Sequence, residues 1–549
     1  MEDALRSTRP IPTILLSSAF VSTVLGGGGP RAAAIAQPEA LSAPRPGSPA
    51  DSTLATALLA IEGEPLTLEG AVSSALDHAS ELERAQASLR EARGLTRSER
   101  GRFDPEIFAE ALGSGEELPS ASPFAGADVI ENEQIATATG ARMRLLLGTE
   151  IEASLRTTRS ETNSAFAALR PQYDAAGLLE LRQPLLRGFG PSARSGLDAA
   201  DRLEDAALAR YEEARASVRE QVEETYWDLY AAERDLAVGR LIRDRAIALL
   251  GETERRAGAG IVGPGNVAAA RVFVSEQAQT VLDREESLDE VSDRLASLMG
   301  RRPAQGLARF RPSDAPPFQG PLEDADALVA HALEANRSVR AAEMVAASYR
   351  ARERGARWDA LPSLDLVGSL GGNALSGEGR EVIFGSDTLR TELSGGYGDV
   401  FTQVSERRYP TWSAGVQLTV PLGVRTGRAD RDRARAAADA ADAEALALRR
   451  AVEEEVRASH RELANGAARL EAARQGVEAS QEQVRIGLIE YRSGITTAFE
   501  VVRLGADLAA AEQRYSQALV RTAKAAARLR YLTYAAYPPA GSGSRGGSE

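Results

Sequence analysis

The chain has 549 residues, a formal net charge of −14, no cysteine and three histidines. Those counts exclude disulfides, thiolate metal sites and cysteine nucleophiles, and the acidic balance argues against nucleic acid as a partner. Aromatic residues are only 5% of the chain while Ala, Arg and Glu abound, which favours long helices packed through small side chains over a compact aromatic core.

Taken from the start, Arg6 and Arg9 precede an apolar run at 11–24, and Ala34-Ile35-Ala36 follows. These are the parts of an export signal, so residues 1–36 are expected to be removed, and the Pro/Ala/Ser-rich residues 37–60 are expected to form a flexible linker. No later run of 18 apolar residues occurs, so no helical membrane span is expected. A β-barrel, whose alternating strands leave a weak signal, stays open.

The first structural repeat is placed at 61–312. Residues 66–102 read as helix and 103–112 as strand. Residues 113–140 are polar and rich in Gly and Ser, and 142–156 and 173–186 alternate as strands. A long helix is expected from about Ser192 to Arg256. The Gly- and Pro-containing tip at 256–265 ends it, and a second helix returns to Leu298. Residues 301–321 are Pro-rich, with 313–321 as the inter-repeat linker. A second repeat at 322–535 then runs through the same programme, and 536–549 read as a disordered tail. Pro105 matches Pro362, and the strand ending Gln183-Pro-Leu-Leu matches the one ending Val420-Pro-Leu-Gly. Residues 371–410 read as an outward-facing loop.

In the second repeat an uninterrupted helix is expected over about 428–492. Val456, Leu463, Leu470, Val477 and Val484 recur every seventh residue, each followed three positions later by Ser459, Gly466, Ala473, Ser480 or Gly487. Such a repeat winds helices into a left-handed supercoil. Val222, Leu229 and Leu236 follow the same rule in the first repeat. Its tip at 256–265 corresponds to one at 491–497.

Repeat one offers three strand-like segments. A chain that leaves one helix and returns to another on the same side needs an even number of crossings. Residues 103–112 are therefore expected not to cross, and to pair with the start of 142–156, which Gly148 would bend. So few strands per repeat cannot close a sheet, so several chains would have to share one barrel.

Three groups of residues carry a resemblance to the TolC-type outer-membrane efflux proteins. They are the opening Leu66-Thr-Leu-Glu-Gly-Ala-Val72, the stretch Gln183-Pro-Leu-Leu-Arg-Gly-Phe-Gly190, and the two tips. The resemblance covers nearly all of the mature chain. It implies a membrane β-barrel joined to a long α-helical barrel, built by a homotrimer with about four strands per chain, twelve in all. It further implies a Gram-negative outer membrane and its lipid, a periplasmic adaptor, and an inner-membrane transporter. No enzyme activity, cofactor, metal or nucleic acid is implied. The docking tips carried over are Gly260, Ile261 and Val262, with Gly494, Ile495 and Thr496. The periplasmic aperture falls on Tyr491, Glu500 and Arg503. Thr496 stands where the family has a gate Arg, and Arg503 where it has a second aperture Asp. Glu500 and Arg503 are three apart on a helix and could pair. The competing readings are a periplasmic coiled-coil adaptor, expected to have one hairpin between compact β domains, and a scaffold without a barrel.

Overall fold

The computed structural model describes residues 49–121, 126–316, 322–384, 387–423 and 425–534. Residues 1–52 and 53–549 are separate units, and the second holds every strand and both long helical hairpins. The export signal and the 536–549 tail lie outside the described residues.

The first repeat opens with α1 (Pro49–Leu59), β1 (Glu64–Leu66), α2 (Leu68–His78) and α3 (Ser80–Gly101). Four strands follow: β2 (Glu106–Pro119), β3 (Val129–Arg144), β4 (Glu150–Thr162) and β5 (Leu169–Pro184). The hairpin α4 (Pro191–Gly258) and α5 (Pro264–Met299) and the short β6 (Phe310–Pro312) complete it. The second repeat has α6 (Ala325–Ala335), α7 (Arg337–Asp359), β7 (Ser363–Gly379), β8 (Val382–Phe384) and β9 (Asp387–Leu389). It continues with α8 (Tyr397–Ser405), β10 (Tyr409–Thr419), α9 (Arg425–Ala464), α10 (Gly466–Arg492) and α11 (Ala498–Thr533).

The duplication is visible element by element. α2 and α6 both have 11 residues, and both begin at a side-chain cap: Thr67 accepts from the Gly70 amide, Asp324 from that of Asp326. α5 and α11 both have 36 residues. α4 has 68 residues, and α9 with α10 covers the matching length with one residue, Asn465, outside the helix. The expected uninterrupted helix is thus broken once. Asn and Gly are poor helix formers. A Cβ on Gly466 would also lie 2.9 Å from Thr522, so the small residue lets α10 and α11 approach here.

The seven-residue seam is real. Val456, Leu463 and Val484 are buried with Ser459, Gly466 and Gly487, and the other four positions are half-buried. Val222, Leu229 and Leu236 are fully buried in the first repeat. Near the middle of the hairpins β1 and β6 pair in parallel, and Tyr226 donates to the Leu66 carbonyl while the amides of Ser313 and Asp314 donate to it. Burial pushes the Tyr226 phenol up to about 12, so it remains a neutral donor. The end of the expected linker 37–60 is helical: α1 places Leu54, Ala57 and Leu58 at helical spacing against this same core.

The main sheet has six strands among the described residues, in the order β10-β7-β5-β4-β3-β2, antiparallel throughout. The sheet of one chain thus holds two strands more than the four that the resemblance implies for a barrel. Residues 103–112 do not stand aside, because β2 is 14 residues long and pairs with β3 along its whole length. The strand that restores an even number is β3, most of which lies in the polar stretch 113–140. Gly148 bends no strand. It sits at φ +89 in the turn that splits 142–156 into β3 and β4, where its amide donates to the Leu145 carbonyl at 2.8 Å. Likewise 371–379 belong to β7, so the expected loop begins later.

Candidate functional site

Each hairpin reverses in the same way. At the first tip the Ile261 amide donates to the Arg256 carbonyl at 2.9 Å, around Gly260 at φ +74. At the second the Ile495 amide donates to the Glu490 carbonyl at 2.9 Å, around Gly494 at φ +77. This is the helix-terminating geometry in which a left-handed residue satisfies the last carbonyls, and it favours glycine. The residue after each glycine is an isoleucine left in solvent, with Ile261 64% and Ile495 76% exposed. Val262 and Thr496, one position on, are half-buried in both tips. Beside the first tip Val262, Pro264, Val267 and Arg271 line a shallow groove.

Tyr491 is buried among Leu249, Leu488 and Val501. Its hydroxyl lies 2.9 Å from that of Thr253, on the other hairpin. Arg256 donates to the Tyr491 carbonyl at 2.7 Å and holds its guanidinium 4.7 Å from the ring centroid. One tyrosine therefore fastens the two hairpins together just above their tips. Sequence alone does not distinguish Arg256 or Thr253. A basic residue in a last helical turn is common, because it suits the helix dipole, so Arg256 carries no signal of its own. Glu500 and Arg503 form an ion pair on the surface of α11, while Val501 between them faces Tyr491. The aperture acid carried over from the resemblance is thus already partnered within its own helix.

At the other end of the hairpins the sheet has two unlike faces. Residues directly opposite across antiparallel strands share a face, so the register sorts every side chain. One face carries Ile107, Ala109 and Ala111 of β2, Ile151 and Leu155 of β4, Leu179 and Leu181 of β5, and Leu366 and Leu370 of β7. Trp412, Val416 and Leu418 of β10 complete it. On this face the uncharged stretches run from seven residues in β4 to thirteen in β7, bracketing the about 9–11 residues a tilted strand needs to cross hydrocarbon. Ile107 and Trp412 on its outer strands are 88% and 75% exposed. Charges resume beyond it with Glu117, Glu131, Arg159 and Glu161.

The opposite face carries Glu106, Arg142, Glu152, Glu180, Arg182 and Asp365. It curls around a hollow of about 610 Å³ touched by all six strands. Arg142 pairs with Glu106 at 2.9 Å and Arg182 with Asp365 at 3.0 Å. An apolar outside and a polar, concave inside are what a membrane barrel wall requires. α8 lies across the apolar face, its Val400 buried against Ala175 and Ala374 and its Tyr397 within 2.7 Å of the Thr157 hydroxyl. Among the described residues no helix is long and apolar enough to cross a membrane, and no group of acidic or histidine side chains could hold a metal ion.

A two-faced antiparallel sheet set on paired helical hairpins defines the class: the fold of the outer-membrane channels. The solved structure of the outer-membrane channel OprN superimposes with a TM-score of 0.62 at 21% identity, covering 85% of this chain and 89% of that one. VceC from Vibrio cholerae gives 0.59 at 15%, covering 85% and 95%. CmeC from Campylobacter jejuni gives 0.59 at 14%, covering 85% of both. No curated protein sequence matches. Residues 328–533, within the second repeat, match the family model of outer membrane efflux proteins, in line with the expected resemblance.

Proposed function

We propose that this chain is the outer-membrane exit duct of a tripartite efflux pump or type I secretion system. It works as a homotrimer, with the sheets in the outer membrane of a Gram-negative cell and the hairpins in the periplasm. A periplasmic adaptor grips the Gly260-Ile261-Val262 and Gly494-Ile495-Thr496 turns, and an inner-membrane transporter supplies the energy. The observation that carries this reading is the pairing, in one chain, of a sheet apolar on its convex face with two hairpins of equal length ending in the same Gly-Ile turn. A periplasmic adaptor or scaffold has no use for an apolar band of membrane height.

The duct performs no covalent step. Its work is to stay shut and then open. The Tyr491 contacts to Thr253 and Arg256 hold the second hairpin to the first, so opening requires breaking them. The Glu500–Arg503 pair lowers the net negative charge at the aperture relative to two free acids. The test is complementation. A deletion strain should regain export with the chain supplied in trans, and the protein should fractionate with the outer membrane as a trimer that dissociates on heating. Recovery as a water-soluble periplasmic protein would return the scaffold reading.

A further inference from the structure

The sheet has two open edges. β2 on one side and β10 on the other have a strand partner on a single side among the described residues. Hydrocarbon cannot satisfy the bare amides and carbonyls of such edges, so a membrane wall must close. β2 runs away from the hairpins and β10 runs back towards them, so the two edges of neighbouring copies would meet antiparallel. Both carry apolar residues on the convex face, and joining them would continue the band without a charge, with Ile107, Ala109 and Ala111 beside Ala414, Val416 and Leu418.

We propose that β10 of one copy pairs with β2 of the next, and that three copies of six strands close a barrel of eighteen strands instead of twelve. The copy number rests on the trimeric duct proposed above; the edge pairing rests on the sheet. The additional strands, β3 and β4, are built into the wall. β3 is paired along its length with β2 on one side and β4 on the other. A Cβ on Gly140 would lie 2.7 Å from the Phe108 ring, so an aromatic seats on a glycine across that pair. The β3–β4 turn is tied to the base of α4, where the Gly190 amide donates to the Leu147 carbonyl at 3.0 Å and the Thr149 hydroxyl to the Gln183 side chain at 2.5 Å. Barrel diameter grows roughly linearly with strand number, so the bore is about one and a half times that of a twelve-stranded wall. Selection by size then falls to the helical end of the duct, and cargo that clears the tips is not restricted again in the membrane.

The absence of cysteine makes the test clean. Ala109→Cys is combined in turn with Ala414→Cys, Val416→Cys and Leu418→Cys in the full chain, in outer membranes, with an oxidant and with a short bis-maleimide. The expected result is a ladder of linked dimer and trimer from one of the three combinations, as a fixed register demands. Separately, Ser413→Cys on the concave face is labelled from outside the cell with maleimides of graded size. The largest that reacts should have about 1.5 times the limiting diameter found for a twelve-stranded channel. A link formed within one chain overturns the proposal. So does a complex with another number of copies, or Ala153→Cys on β4 linking to β10 in place of β2, which would put β2 and β3 outside the wall. Failure of every combination while the single variants still insert overturns it too. Export is measured in the same cells. Links without export leave the barrel standing and remove the duct reading, and export without links does the reverse.

Discussion

The two repeats share a plan and differ in what stands between their first and last strands. In the second repeat β7 and β10 pair directly, and the chain between them forms the small β8–β9 hairpin and α8. In the first, β2 and β5 are held apart by β3 and β4. An inserted hairpin adds two strands at once, so it preserves the direction in which the chain re-enters the helices. Duplication therefore tolerates growth of the wall in pairs of strands, while α4 and its counterpart keep their length. A second difference lies at the tips. The two turns match in backbone geometry, but the ion pair after the second lies within one helix, Glu500 with Arg503, whereas the one after the first ties its two helices together, Glu254 with Arg271, and Tyr491 is fastened by groups that belong to the first.

Gly494→Trp should have the largest effect. It puts a bulky side chain at φ +77 on an exposed tip. Export should be abolished while trimers remain in the membrane. Gly260→Trp asks whether the first tip carries an equal share, and full export in the Gly494 variant would remove the docking role of this turn. Next comes excision of residues 122–166, which joins β2 to β5 and gives the first repeat the form of the second. The limiting diameter for maleimide labelling of Ser413→Cys should fall by about a third. An unchanged cutoff would separate strand count from bore.

Arg256→Ala removes the donor to the Tyr491 carbonyl and the cation over its ring. Cells carrying it should become severalfold more sensitive to large antibiotics added outside, because the hairpins part more readily. Tyr491→Phe keeps the ring and loses only the hydroxyl contact with Thr253, which is worth about 1 kcal/mol. Its sensitivity should lie between wild type and the Arg256 variant. The smallest effect concerns Asp235 in α4, whose carboxyl burial pushes up to about 6, with Arg284 and Arg234 opposing. Its folded value lies above the ordinary carboxylate value of about 4. The stability linked to its protonation is therefore complete below that value and lost as pH rises through 6. Asp235→Asn should raise Tm by about 2 °C at pH 7.5 and leave it unchanged at pH 3.5.

Much of this architecture is legible in the sequence because the periodic signals are long. Val456 through Val484 repeat over four heptads, and nothing else in the chain explains that spacing. Pro105 and Pro362 mark matching strand starts, and the glycines at 260 and 494 mark both reversals. The element that the sequence hides is β3. Its distal half, Glu131-Asn-Glu-Gln134, is polar on both faces, because it lies beyond the uncharged band. Its proximal half alternates through Thr137, Thr139 and Ala141, too small to register as a strand. Counting strands from apolar alternation therefore undercounts a wall whose residues are small. The tyrosine latch is illegible for another reason: Thr253 and Tyr491 lie 238 residues apart, and only the folded hairpins bring them together.

In the proposed channel, α8 has a mechanical consequence for how the barrel would ride in its membrane. It crosses the convex side of the sheet with Asp399 bonded to the Gly396 amide, and Glu406 and Arg408 paired just past its end. Such groups stop at the water boundary of a bilayer. In that setting the helix would work as a collar that fixes the draught of the barrel, leaving Trp412 to Leu418 below the waterline and the charged strand ends above it.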